Sequence, residues 1–164
     1  MDEPVGFREF VAERIDRLTR VAFLLTGDHH LAEDLVQATL IRVWRKWKQA
    51  SGSRFADAYL NRILVTTYLS WRRRRWWGEI PTSFDDHDVA GVTDGLEQAL
   101  AADDFRRRLA VLPRHQRAVV VLRYYLDLSE RETAELLGCT VGTVKSQNHK
   151  ALARLRSHIS RVPE

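Results

Sequence analysis

Leu128-Ser-Glu-Arg-Glu-Thr-Ala-Glu-Leu-Leu-Gly-Cys-Thr-Val-Gly-Thr-Val-Lys-Ser-Gln-Asn-His-Lys-Ala-Leu-Ala-Arg-Leu-Arg156 reads as two helices joined by a short turn that carries a glycine. Ser129 and Glu132 have the spacing of a capping box, in which the serine hydroxyl accepts from the Glu132 amide and the glutamate reaches back. Ala134, Leu136 and Leu137 fall on the inward side of this helix. Gly138 stands where helices commonly end in a left-handed residue, and Thr140 is placed to cap the next helix. Along that second helix Val141, Val144, Ala151, Leu152, Leu155 and Ile159 recur at three- and four-residue spacings and form a buried stripe. Thr143, Lys145, Ser146, Gln147, His149, Lys150 and Arg154 are left facing out. This is the pattern of a helix-turn-helix, which lays its second helix in the DNA major groove. The plainer reading is a helical hairpin with a solvated basic face. Cap, tight turn and second amphipathic helix occurring together in that order argue against it.

Outside this stretch the chain has room for one domain or two small ones. It has 164 residues, and 45% of them are hydrophobic, as in an ordinary globular protein. No apolar run reaches the roughly eighteen residues of a membrane span. Met-Asp-Glu-Pro at the start lacks the basic and apolar segments of a signal peptide, so a cytoplasmic location is expected. The single cysteine, Cys139, allows no internal disulfide, fits a reducing compartment and is most simply a small packing residue in the turn. The net charge of +4 is unevenly spread: +5 over residues 1–77, −8 over 78–104 and +7 over 105–164. Two basic segments separated by an acidic one suggest two surfaces for a polyanion and a connector that avoids it.

No strand pattern occurs, and the expected fold is all-α, two small helical domains joined by a flexible acidic linker. The first domain, 1–77, holds helices near 5–26, 30–48 and 55–77. Phe7, Phe10, Val11, Ile15, Leu18, Ala22 and Leu25 trace the apolar stripe of the first, which Gly27 ends. Leu31, Leu35, Ala38 and Ile41 mark the second, and Tyr59, Leu60, Ile63, Leu64, Thr67 and Trp71 the third. Residues 78–96 carry Pro81, glycines and clustered aspartates without a period, the signature of a linker. The second domain, 97–164, holds helices near 97–111, 114–126, 130–137 and 141–160, with Pro113 suited to a first helical position.

The third helix ends abruptly in Arg72-Arg-Arg-Arg-Trp-Trp77. Arginines neutralise phosphates, and indoles give stacking platforms to bases that have left the duplex. Cations at a helix C-terminus with two tryptophans closing a core are the structural alternative.

Taken together, these blocks resemble an extracytoplasmic-function sigma factor of the minimal two-domain type, with an actinobacterial character. The resemblance covers nearly all of the chain except the linker and extreme termini. Ala32-Glu-Asp-Leu-Val-Gln-Ala-Thr-Leu-Ile-Arg-Val-Trp44 resembles the helix that grips the clamp coiled coil of RNA polymerase core. Tyr59-Leu-Asn-Arg-Ile-Leu-Val-Thr-Thr-Tyr-Leu-Ser-Trp-Arg-Arg-Arg-Arg75 resembles the helix that reads and opens the −10 element. Leu112-Pro-Arg-His-Gln-Arg-Ala-Val-Val-Val-Leu-Arg-Tyr-Tyr125, running into the helix-turn-helix, resembles the −35-reading domain, which docks on the flap.

The resemblance implies roles by position. Asp34, Leu35, Gln37, Ala38, Ile41, Arg42 and Arg45 would lie on or near the polymerase-binding face. The loop Ala50, Ser51, Gly52, Ser53 and Arg54, with Asn61 and Thr66, would surround a flipped −10 base. Arg62, Arg72, Arg73, Arg74 and Arg75 would hold phosphates. Thr143, Lys145, Ser146, Gln147, His149 and Lys150 would enter or border the −35 major groove, with Gln147 the best reader of a base edge. Arg131, Thr133 and Arg154 would position the backbone. An anti-sigma factor is a possible further partner; no cofactor, metal or catalysis is implied. Many relatives carry Asn where this chain has Thr66, and an apolar residue where it has Asn148. An unpartnered buried Asn costs about 1–3 kcal/mol, so Asn148 is expected to be partly exposed or bonded to backbone.

Two other classes compete. A free-standing regulator binding duplex DNA as a dimer would need an interface, and no zipper or spare apolar helix is visible. A helical enzyme would have to use His29 and His30 beside Asp28 and Glu33, a spacing that matches no metal site.

Overall fold

The computed structural model describes residues 2–52, 56–76 and 104–159, the side chains of 72–76 excepted. Every regular element among the described residues is helical, as expected. The chain divides into two compact units, Met1–Ser83 and Phe84–Glu164. That division falls within 78–96, and the expected linker itself lies outside the described residues.

In the first unit α1 (Phe7–Thr26), α2 (His29–Arg45), α3 (Trp47–Ser51) and α4 (Ala56–Trp76) follow one another. Gly27 ends α1 at φ 71°, a conformation that costs glycine little, and its amide donates to the Phe23 carbonyl at 2.8 Å. Asp28 then starts α2, its Oδ1 accepting from the Leu31 amide at 2.9 Å. α2 packs on both α1 and α4. Leu18, Val21 and Leu25 from α1, Leu35 and Val43 from α2, and Leu64 and Val65 from α4 are almost wholly buried. Thr39 and Thr67 share that interior without orphaning a hydroxyl, because each donates to the carbonyl four residues back, at 2.7 Å.

The single helix expected over 30–48 breaks at Lys46, whose φ of −112° and ψ of 28° leave the helical region. Aromatic packing accounts for the break. Trp47 sets its ring edge-to-face on Phe7 and Phe10, with centroids 5.3 and 5.2 Å apart, and its Nε1 donates to the Val5 carbonyl at 3.1 Å.

The second unit contains α5 (helical over 104–110 among the described residues), α6 (Arg114–Val120), α7 (Glu130–Leu137) and α8 (Val141–Ile159). Pro113 stands one residue before α6 rather than inside it. Arg117 is buried, and its guanidinium donates to the carbonyls of Leu109 at 3.2 Å and Leu112 at 3.4 Å. It thereby satisfies acceptors where α5 ends. The helix expected over 114–126 widens after Val120 into a π-helical turn, Val121–Tyr125. There the Leu126 amide donates to the Val121 carbonyl at 3.0 Å and the Leu128 amide to that of Leu122 at 2.9 Å. Val119, Ala134 and Val144 form the buried centre, with Leu137 and Cys139 packed against it. Val141 and Ile159, expected in the stripe, are exposed because they stand at the two ends of α8.

Candidate nucleic-acid interface

α7 begins with the complete capping box: the Glu132 amide donates to Ser129 Oγ at 3.0 Å and the Ser129 amide to Glu132 Oε2 at 2.7 Å. These bonds hold the Glu132 carboxyl below its usual range, the one from the Ser129 backbone most. Gly138 ends α7 at φ 65° and ψ 37°. A Cβ there would touch nothing within 4 Å, so the need for glycine is conformational. Thr140 Oγ1 accepts from the Thr143 amide at 3.1 Å and opens α8 as expected. Burial pushes the Cys139 thiol up, in keeping with its packing against the buried centre of this unit.

With Val144 and Ala151 fully buried, α8 turns Thr143, Lys145, Ser146, His149, Lys150 and Arg154 to solvent, and Gln147 is half-buried. Two of the cations nearby are already met by carboxylates of α7. Lys145 Nζ lies 3.7 Å from Glu130 Oε2, and Arg131 Nε lies 3.6 Å from Glu135 Oε1. Thr133 is a correction. It is fully buried against the core and its amide is spent on the Ser129 carbonyl, so its side chain is not on the exposed face where the resemblance would put it. Asn148 is half-buried, as expected, but its partner is a side chain rather than backbone: Nδ2 donates to Tyr124 Oη at 2.9 Å.

In the first unit α2 presents Asp34, Gln37, Ile41, Arg42 and Arg45 to solvent, with Ala38 half-buried among them. Ile41 is 54% exposed, a large apolar side chain in the middle of a polar stripe. Leu35, at 0% exposure, belongs to the core, one position round the helix from that stripe. On α4, Arg62 and Thr66 are exposed and Asn61 is half-buried. The Thr66 hydroxyl donates to the carbonyls of Arg62 and Ile63. Ser51 and Gly52 are exposed at the end of α3, but Ala50, expected in the loop around the base, is 1% exposed. Ser53 and Arg54 lie outside the described residues, and Arg72 to Arg75 are described only as part of the helical backbone of α4.

Sequence reasoning missed Trp47, which ties the chain start to α3, and Tyr124, which meets α8. The first could have been suspected from the Trp44-Arg-Lys-Trp47 spacing. The second had no signal, because only the π-helical turn brings it round. His29 stacks on Phe23 with ring centroids 4.3 Å apart at the start of α2. Among the described residues no group of three His, Cys, Asp or Glu could hold a metal ion.

One unit thus carries a helix-turn-helix with a basic outer face, and the other a helical bundle with a solvent-facing stripe and a basic helix end. Together they define a DNA-binding protein of bipartite build. Residues 10–78 match Sigma-70 region 2 and residues 102–155 match Sigma-70, region 4. The chain is 41% identical over 157 residues to the RNA polymerase sigma-E factor of Streptomyces avermitilis, covering 96% of this chain and 87% of that protein. It is 33% identical to the ECF RNA polymerase sigma factor SigE of Mycolicibacterium smegmatis, covering 93% of this chain and 61% of that one. Among solved structures it resembles the sigma factor RpoE of Bartonella quintana, crystallised with the anti-sigma factor NepR. The TM-score is 0.70 at 28% identity, covering 96% of this chain and 98% of that one. The chain belongs to the extracytoplasmic-function sigma factors of the sigma-70 family. It is a sigma factor that directs promoter-specific initiation by RNA polymerase, which sets the free-standing regulator aside.

Proposed function

We propose that the two units, 1–77 and 97–164, divide promoter reading between them, with 78–96 as an acidic linker that keeps clear of DNA. The outer face of α8 enters the −35 major groove, where Gln147 reads a base edge and Lys145, Lys150, Arg131 and Arg154 meet phosphates. α4, with Ser51 to Arg54, holds the melted −10 strand: Asn61 and Thr66 border a flipped base, and Arg62 with Arg72–Arg75 meets the phosphates. Unstacking costs a few kcal/mol per base, and pocket and stacking contacts offset it. The exposed stripe of α2 around Ile41 docks on the clamp coiled coil of core polymerase, while the second unit meets the flap. The chain itself makes and breaks no covalent bond and works in the cytoplasm. Because the Bartonella relative is held by an anti-sigma factor, a similar partner is proposed here, covering the Ile41 stripe when polymerase does not.

The observation that carries this reading is the sidedness of α8: Val144 and Ala151 are fully buried while six polar and basic residues of the remaining face are exposed. The test is to mix the chain with bacterial core polymerase and a promoter library probed with permanganate. Co-migration with core and permanganate-reactive thymines near −10 are expected. Failure to co-migrate, or to open any promoter, would defeat the proposal.

A further inference from the structure

We propose that Tyr124 and Asn148 form a positioning pair that fixes the roll of α8 about its own axis and so sets the base choice made at Gln147. This rests on the reading of α8 as the −35 helix. The inward stripe of α8 steps from Val144 to Asn148 to Ala151. Val144 and Ala151 are fully buried, yet the step between them is an amide. Its Nδ2 donates to Tyr124 Oη at 2.9 Å, while its Oδ1 is buried without a partner. A half-satisfied amide at a packing position costs stability compared with an apolar residue. What it supplies in return is direction. Apolar contacts are non-directional and allow a helix to slide or roll, whereas a hydrogen bond accepts only a narrow geometry. A single buried Asn fixes register in coiled coils by the same trade.

Tyr124 is a suitable anchor. It lies in the π-helical turn, and beside it Arg123 Nη1 donates to the Leu128 carbonyl, fastening the loop that leads into α7. The tyrosine is 51% exposed, so burial alone does not hold its ring in place; its hydroxyl is tied to α8. The pair therefore links the segment before the helix-turn-helix directly to the reading helix, without passing through α7. Gln147 precedes Asn148 in the chain. A roll of about 20° would carry a side-chain tip about 5–6 Å from the axis through about 2 Å, more than a base-edge hydrogen bond tolerates.

The test uses the full chain assembled with core polymerase. Its readout is the ratio of affinities for a selected promoter and for each single-base-pair variant of its −35 element. Tyr124→Phe keeps the ring and removes only the hydroxyl; Tyr124→Phe with Asn148→Leu replaces the polar pair with an apolar one. Tyr124→Phe is expected to lower discrimination about fivefold at one base pair, the worth of a typical net hydrogen bond, while non-specific duplex affinity stays unchanged. The double variant is expected to melt at or above the temperature of the unaltered chain and still discriminate as poorly as Tyr124→Phe. A merely structural pair would regain discrimination along with stability. Unaltered discrimination in either variant, or recovery in the double, would overturn the proposal. Gln147→Ala separates the two layers. If it leaves every ratio intact, Gln147 falls as the base reader, and with it the reading on which the pair rests. If it lowers one and Tyr124→Phe does not, only the pair falls.

Discussion

Lys145 Nζ stands 3.7 Å from Glu130 Oε2, so a cation on the outer face of α8 is met by a carboxylate from the first turn of α7. Both side chains are partly solvated, and such pairs contribute about 0–1 kcal/mol. Their importance here is competition, since a phosphate that takes Lys145 must displace Glu130. Glu130→Gln is expected to raise affinity for all duplexes a few-fold at low salt, while the ratio between good and poor −35 elements falls. The salt dependence should steepen by about one phosphate's worth of counterion release. A salt series of holoenzyme binding to matched and scrambled −35 duplexes checks this. Identical curves for the two proteins would show that Glu130 does not compete.

The capping box makes α7 sensitive to acid. The Glu132 carboxyl is held below its usual range by the bonds it accepts from Ser129, first the backbone one. A depressed carboxylate contributes stability that is present above its unfolded value and is lost as pH falls through its folded value. Urea melts from about pH 7 to about pH 3 should therefore show the second unit weakening with acid. Glu132→Gln should flatten that limb. Ser129→Ala should cost about 1 kcal/mol at neutral pH. An acid limb as steep in Glu132→Gln as in the unaltered chain would assign it to other carboxylates.

What was legible in the sequence was whatever local backbone chemistry fixes. The Ser129–Glu132 box, the left-handed Gly138 and the Thr140 cap each depend on residues within four positions, so spacing alone placed them. Sidedness was harder. Family resemblance gives a position a role but does not say which way a side chain points, so the inward turn of Ala50 and Thr133 was not visible in it. Breaks within apolar periodicity left no trace either. Trp44 and Trp47 continue a helical spacing across the turn at Lys46, and Val119 to Leu122 are buried on both sides of the point where the helix widens. The Tyr124–Asn148 contact follows from that widening.

Ile41 and Leu35 separate binding from folding on one helix. Ile41 is 54% exposed and Leu35 fully buried, though both lie on α2. Leu35→Ala is expected to cost about 2–5 kcal/mol of stability through lost burial and a cavity. Ile41→Ala should leave the melting temperature nearly unchanged. It should weaken core polymerase binding by about tenfold, in keeping with about 1–2 kcal/mol of apolar burial lost at the interface. Ile41→Glu should weaken it further. Thermal melts and core-binding titrations run side by side decide the matter, and undiminished core binding by Ile41→Glu would remove Ile41 from the interface.

Trp47 couples Val5 and Phe7 to α3, which leads into the proposed −10 loop. Its Nε1 donates to the Val5 carbonyl, its ring packs on Phe7 and Phe10, and the Phe7 amide donates to the Pro4 carbonyl at 3.1 Å. Trp47→Phe keeps an aromatic edge but loses the donor and part of the indole's contact area. Because the Val5 carbonyl can turn to water, the lost bond itself should cost about 0.5–1.5 kcal/mol. Trp47→Ala also removes the ring and should cost about 2–4 kcal/mol, below the cost at a fully buried site because Trp47 is half-buried. Hydrogen exchange at the Phe7 amide should quicken in both variants, and more in Trp47→Ala. Four residues on, Ser51 and Gly52 lead from α3 into the proposed −10 loop. Trp47→Ala should therefore slow promoter opening by the assembled holoenzyme while leaving −35 duplex affinity intact, because the proposed −35 helix, α8, belongs to the other unit. Equal losses in opening and in −35 affinity would mean that the variant damages the whole chain rather than the placement of α3.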